Sequence, residues 1–211
     1  AALRRFPATL GMCVNCPATF REPGVIRVSS ARPTGALDIG RYPGGSDEVV
    51  ADIAARLRAA GFDSRARADI MRWKYAKLLV NLGNSVEALC GPGARGGALS
   101  ARLRQEGEAC LHAAGLGFVP ASEFQGRMSS LVMTRSGDRD GGSSWQSLAR
   151  GTGSIEADYL NGEIVLLGRL HGVPTPANAL VQRRAVQAAR ARHEPGSISE
   201  QELLDNLAAA A

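Results

Sequence analysis

The sequence predicts an α+β protein, a β-rich N-terminal piece with one covering helix followed by a helical domain. Two observations carry this. Up to about Pro43, apolar residues cluster or alternate in short runs bounded by Pro and Gly, the pattern of strands joined by turns. From Asp69 onward they recur instead at helical spacing through long segments. With 211 residues, 45% of them hydrophobic, the chain can bury a core of one large or two small domains.

The elements follow in order. The stretch from Gly11 to Pro17 reads as an apolar strand, and Val25–Ser29 and Ala36–Gly40 read as further strands. From Asp47 to Ala60, Val49, Val50, Ile53 and Leu57 share one face and Gly61 follows as a stop, which predicts an amphipathic helix covering a sheet. Phe62 to Ala68 reads as one more short strand. Helices are then expected at about 69–90, 97–115, 122–134, 154–171, 176–193 and 199–209. A polar loop, Ser136 to Ser143 with Gly137, Gly141 and Gly142, separates the third from the fourth. The chain therefore divides near residue 68, into 1–68 and 69–211, and the first part is too small for a complete doubly wound sheet. There is no internal repeat, and low complexity is confined to the terminal Ala208–Ala211 run.

Composition excludes several classes. Charged residues make up 21%, an ordinary value for a folded protein, and no apolar run approaches the ~18 residues of a spanning helix. The chain opens without an initiator Met and without an apolar h-region, so no signal peptide is expected and the default compartment is the cytoplasm. Net charge is +5, and its densest stretch, Arg183, Arg184, Arg190 and Arg192, has helical spacing. Aromatic residues are 5% and none interleaves with that cluster, so it reads as a solvated helix face and no nucleic-acid partner is expected. Among four cysteines, Cys13 and Cys16 form a C-x-x-C. Their neighbours read as a strand rather than a thiol-activating helix start, and no second pair completes a zinc site. They are expected to be buried structural thiols, and no metal is expected.

The helix from Asp69 carries the most chemistry. It is apolar on almost every side, yet Lys74, Lys77, Asn81 and Asn84 lie within an arc of roughly 80° at ~100° per residue. Such a stripe either faces water or lines a cleft. Asparagine is a poor helix former with nothing to gain on a plain surface, and a lysine in an apolar cleft can exchange protons near neutrality. A second stretch runs from Ser143-Ser144-Trp145-Gln146 to Gly151-Thr152-Gly153-Ser154-Ile155-Glu156-Ala157-Asp158-Tyr159-Leu160-Asn161-Gly162. Here Ser154 is the expected N-cap and Glu156 an ordinary first-turn acid favoured by the helix dipole. Gly172-Val173-Pro174-Thr175-Pro176-Ala177-Asn178 then ends one helix and begins the next.

Taken together, the K-L-L-x-N with a further Asn, the S-S-x-x-Q, the E-x-D-Y-x-N-G and the G-V-x-T-P-x-N resemble the ketopantoate reductases in order and spacing. Pro23-Gly24 and Leu37-Asp38-Ile39-Gly40 resemble the strands that close that family's nucleotide-binding domain. The resemblance implies a fold in which 1–68 is a β-rich remnant of an α/β Rossmann-type domain. Residues 69–211 would be an all-α domain like that of 6-phosphogluconate dehydrogenase, holding the substrate.

It also implies an activity, the NADPH-dependent reduction of the 2-oxo acid ketopantoate to pantoate on the route to coenzyme A. Lys77 would be the general acid, with Lys74 in reserve. Asn81 and Asn84 would bind the substrate, Ser144 its carboxylate, and Glu156 its hydroxyl. The family's second asparagine stands eight residues after the lysine, where this chain has Ser85; Asn84 stands at seven. Ser147 stands where an acidic residue is common. A glycine fingerprint for the dinucleotide is expected to be missing, because Gly91-Pro92-Gly93-Ala94-Arg95-Gly96 follows a helix and reads as a helix–helix turn. No cofactor-binding residue is therefore assigned, and the chain alone is expected to bind NADPH poorly. Two alternatives stay open: a reductase of another 2-oxo acid, and a non-catalytic helical module that forms a homodimer or binds a partner.

Overall fold

The computed structural model describes residues 2–129, 131 and 141–209. In chain order its strands are β1 (Leu10–Asn15), β2 (Ala18–Glu22), β3 (Val25–Val28) and β4 (Ala36–Arg41). Its helices are α1 (Glu48–Ala59), α2 (Ile70–Asn81), α3 (Gly83–Cys90), α4 (Ala98–Ala113), α5 (Ala121–Met128), α6 (Ser143–Ala149), α7 (Asn161–His171), α8 (Pro176–Arg190) and α9 (Glu200–Ala209). They form two compact units. One runs to Lys77 and adds the segment that starts at Gly117; the other holds Leu78–Leu116 and the described residues from 141 on. Compactness thus divides the chain elsewhere than at residue 68.

In the first unit β4 is the central strand and is buried along almost its whole length. β1 pairs with it antiparallel, Leu10 opposite Arg41 through Asn15 opposite Ala36. Residues 63–67 run parallel beside β4, with Leu37 N donating to Asp63 O at 2.9 Å and Ile39 N to Arg65 O at 3.0 Å. Parallel neighbours require a crossover, and α1 supplies it. The helix starts where Asp47 accepts Val50 N at 3.0 Å, and Gly61, at φ +93, follows its end. Val50 and Ala54, one turn apart, pack with Ile39. Val49, expected on that face, is exposed instead, because it precedes Val50 by one ~100° step. β2 and β3 make a separate hairpin turned at Pro23-Gly24, where Gly24 has φ +82, the conformation a type II turn asks of its third residue.

α2 begins against β1 and α5, with Cys13, Ile70, Trp73, Ala76, Val119 and Phe124 forming one core cluster. A side chain on Gly40 would collide with the Arg67 carbonyl and come within 2.8 Å of Ile70 Cβ, so glycine lets β4 and α2 approach. α5 is held by Arg127, whose guanidinium meets the carboxylates of Asp38 and Asp63. The end of the helix expected at 122–134, and most of the loop expected from Ser136, lie outside the described residues.

The second unit is helical. Its core includes Leu82, Val86, Leu99, Leu103, Ile164 and Val181, all without exposure. The long helix expected over 69–90 runs as α2 and α3, joined through Leu82, whose backbone stays α-helical (φ −56, ψ −33) and whose N–H donates to Leu78 O at 3.1 Å. Gly83 follows, and a Cβ there would lie 3.3 Å from the Arg95 carbonyl. The helix expected from Ser154 starts late. Ile155 is extended, Glu156–Asp158 is a single 3-10 turn, and α7 begins only at Asn161, so Ser154 caps nothing. α7 ends at Gly172 in the left-handed region and α8 opens on Pro176, as the sequence indicates. α6 was not expected. No described helix is long and apolar enough to cross a membrane.

Candidate active site

The two lysines of the stripe belong to the first unit and do something the helical spacing does not reveal. Lys74 Nζ donates to Met12 O at 3.1 Å, and Lys77 Nζ donates to Val14 O. In an antiparallel pair, alternate residues point their peptide groups away from the partner strand. Met12 and Val14 are two apart on β1, so two ammonium groups one helical turn apart serve its outer carbonyls. An ammonium has three N–H donors, and at Lys77 the Val14 carbonyl takes one. The stripe thus neither simply faces water nor stands bare in a cleft; β1 anchors its first half.

Of the two C-x-x-C thiols, expected to be buried, Cys13 is buried and Cys16 only partly so. Cys13 accepts from Asn15 Nδ2 at 3.5 Å and donates to Trp73 O at 3.6 Å. Burial pushes its thiol up, against the opposing pull of Lys77, Asn15 and Lys74. Cys13 and Cys16 are both free thiols. Among the described residues, no cluster of three or more His, Cys, Asp or Glu could hold a metal ion.

In the second unit, Asn84 and Ser144 stand out by what they lack. Asn84 is on α3, Ser144 on α6, and these helices pack together. Asn84 is 4% exposed and Ser144 1%, yet Asn84 Oδ1 and Ser144 Oγ have no hydrogen-bond partner. Buried polar atoms are otherwise almost always satisfied, because stranding one costs about 1–3 kcal/mol. Trp73 Nε1 and Arg184 Nε are unpartnered as well, but only Asn84 and Ser144 lie on adjoining helices at predicted site positions. Beside them Glu87 Oε2 accepts Arg95 Nη1 at 3.0 Å and Gly142 N at 3.2 Å. Glu87 thereby ties the start of α6, and so Ser144, to α3. Asn84 Oδ1 is 3.7 Å from where a Cβ on Gly142 would lie.

Ser85 is not part of this group. Its Oγ donates to Asn161 Oδ1 at 2.8 Å, and Asn161 Nδ2 donates to Leu82 O at 3.3 Å and to Asn178 Oδ1 at 3.1 Å. Asn178 Nδ2 donates to Leu103 O and to Glu106, whose carboxylate also accepts Ala177 N and Asn178 N at 2.9 Å each. Sequence reasoning passed over this buried chain. Its only trace was the presence of Asn161 and Asn178 in the last two of the four motifs.

The remaining candidates are less engaged. Asn81 closes α2 and is partly buried; Glu156 opens its 3-10 turn and is exposed. No hydrogen bond or ion pair among the described residues joins either of them to Asn84 or Ser144. The Gly91–Gly96 run follows α3 and forms a 3-10 turn over Pro92–Gly96. A dinucleotide fingerprint needs a strand before it and a helix amide end on the phosphates, so these residues do not fit the cofactor.

Comparison with known proteins points one way. Residues 69–188 match the family described as ketopantoate reductase PanE/ApbA C terminal. The 2-dehydropantoate 2-reductase of Halobacterium salinarum is 32% identical over 170 residues, which cover 75% of this chain and 52% of that protein. The chain spans about half the length of the curated relatives it matches. Among solved structures, the 2-dehydropantoate 2-reductase of Methylococcus capsulatus superposes with a TM-score of 0.72 at 22% identity, covering 92% of this chain and 67% of that one. A D-mandelate dehydrogenase with bound NADH and anilino(oxo)acetate has a TM-score of 0.69 at 17% identity, covering 86% and 59%. At these identities the structural likenesses speak for the fold alone.

Proposed function

The chain belongs to the ketopantoate reductase family, and from that membership we propose that it is the substrate-binding part of an enzyme that reduces 2-dehydropantoate to pantoate with NADPH. The observation that carries the reading is the pair of unpartnered buried atoms: Ser144 Oγ, at the position the family resemblance assigns to the substrate carboxylate, and Asn84 Oδ1, one residue before the family's asparagine position. In this reading residues 1–68 are the end of a nucleotide-binding domain. The β4–α1–strand crossover supports it, being the repeating unit of doubly wound sheets.

Reduction of a 2-oxo group places a developing negative charge on the carbonyl oxygen, which a positioned cation and proton donor stabilise. Lys77 is the proposed donor. Its ammonium gives a proton to that oxygen while the Val14 carbonyl orients it. Ser144 and Asn84 hold the substrate by hydrogen bonds made only when it is bound. Asn81 and Glu156 complete the set, Glu156 toward the substrate hydroxyl. Hydride delivery is assigned to no residue of this chain, since the Gly91–Gly96 turn does not fit the nucleotide.

A second reading, reduction of a different 2-oxo acid, has one observation in its favour. Ser85 occupies the family's asparagine position and is committed to Asn161, so that amide is absent from the substrate side. The test is NADPH oxidation by the protein expressed from its complete reading frame. Oxidation that depends on 2-dehydropantoate and yields pantoate supports the first reading; oxidation only with another 2-oxo acid supports the second.

A further inference from the structure

The buried chain of Ser85, Asn161, Asn178 and Glu106 has no place in the chemistry above, yet it touches the site's framework on both sides of Asn84. Leu82 is the one residue between α2 and α3 that belongs to neither helix. Asn161 donates to its carbonyl and accepts from Ser85 three residues on. Asn84 lies between those two contacts. Asn81, the last residue of α2, immediately precedes them.

Every bond in the chain has one possible direction. The Leu82 and Leu103 carbonyls can only accept, so the amide nitrogens of Asn161 and Asn178 must face them. That places Asn161 Oδ1 on the Ser85 hydroxyl and Asn178 Oδ1 on Asn161 Nδ2. The series ends on the Glu106 carboxylate, which accepts two peptide N–H groups at the start of α8 and the Asn178 amide. Asn161 and Asn178 are both without exposure, so no water competes for these bonds. A carboxamide with its orientation set in this way ties the Leu82 carbonyl to the Ser85 side chain.

We infer that Asn161 is a positioning residue: by bracing Leu82 and Ser85 it sets the azimuth at which Asn84 presents its amide to the 2-oxo acid. The inference rests on the proposed function and adds a role that the candidate site residues do not cover. It gives a role to the Asn in each of the two late motifs, and to the inward bond from Ser85 to Asn161.

The test is a double-mutant cycle on the enzyme from its complete reading frame, with kcat/KM for 2-dehydropantoate, KM for NADPH and Tm as readouts. Ser85→Ala removes one hydroxyl and is the mild probe; Asn161→Asp keeps the acceptor for Ser85 but turns a carboxylate oxygen toward Leu82 O. Each is expected to lower kcat/KM by about tenfold at temperatures far below Tm while leaving the KM for NADPH unchanged, a coupling of the usual size between contacting residues. In an Asn84→Ala background the same changes are expected to alter kcat/KM by less than about twofold, because the group they orient is gone. Equal losses in both backgrounds would show a general structural effect and overturn the inference, as would Ser85→Ala with undiminished kcat/KM. If Asn161→Asp does not fold, Ser85→Ala decides alone. A native enzyme that reduces no 2-oxo acid overturns the proposed function, and the inference falls with it.

Discussion

Arg127 and Asp38, eighty-nine residues apart, meet inside the first unit through two hydrogen bonds, Nε to Oδ2 at 3.0 Å and Nη2 to Oδ1 at 2.7 Å. Their side chains are 1% and 4% exposed. Asp63 takes the guanidinium's other edge, and Arg67 adds a second cation to Asp38. Burial works against the charged guanidinium, but the bonds to Asp38 and Asp63 outweigh it and hold the Arg127 pKa above its ordinary value. Buried pairs are weak stabilisers as a whole, yet removing one partner strands the other.

Arg127→Met is therefore expected to destabilise the first unit by about 3–5 kcal/mol. Urea denaturation followed by Trp73 fluorescence checks this. The double variant Arg127→Met with Asp38→Asn is expected to recover part of the loss, because it no longer leaves that charge buried.

Ser144 leads to the opposite expectation. Its hydroxyl has no partner, so Ser144→Ala removes a buried polar atom without breaking a bond, and stability is expected to hold or rise. Turnover of 2-dehydropantoate is expected to fall by about tenfold, the weight of one lost hydrogen bond to a charged group. Paired measurements of Tm and kcat/KM decide it. A drop in Tm with unchanged kcat/KM would make Ser144 a structural residue.

The Cys90 thiol is pushed up to about 11, first by burial and then by the negative charges of Glu200 and Glu202. An unfolded thiol loses its proton near 9.0. Between those values only the unfolded chain is ionised, so this group's contribution to stability is intact below pH 9 and declines as pH rises through about 11. Peptide-resolved alkylation with iodoacetamide is expected to show the Cys90 rate still climbing above pH 10. A plateau by pH 9.5 would contradict the burial argument.

Much of this was legible in the sequence where the signal is local. Asp47 and Gly61 bound α1, Gly172 and Pro176 mark the turn between α7 and α8, and the runs at 11–17, 25–29 and 36–40 hold β1, β3 and β4. β2 was not expected, and the strand expected over 62–68 makes only isolated bridges to β4. What was not legible depends on distant partners. An arginine in α5 looks like surface until Asp38 arrives from β4. The place of Gly83 is explained likewise by a distant group, since a Cβ there would lie 3.3 Å from the Arg95 carbonyl. α6 is short and follows glycines, so its residues carry too few turns for a helical pattern to show. In the candidate site, the residue types of the stripe were recognisable, but the β1 carbonyls that anchor its lysines belong to a strand some sixty residues earlier.

The central claim is that Lys77 is the proton donor of a 2-oxo acid reductase, and its most direct test is NADPH oxidation with 2-dehydropantoate by native enzyme, Lys77→Ala and Lys74→Ala. The account predicts that Lys77→Ala loses at least about a hundredfold in kcat, the scale of one general acid. Lys74→Ala, which loses only its anchor on Met12, should retain most activity. An enzyme whose turnover survives Lys77→Ala but collapses with Lys74→Ala would contradict the assignment and move the proton donor one turn back along α2.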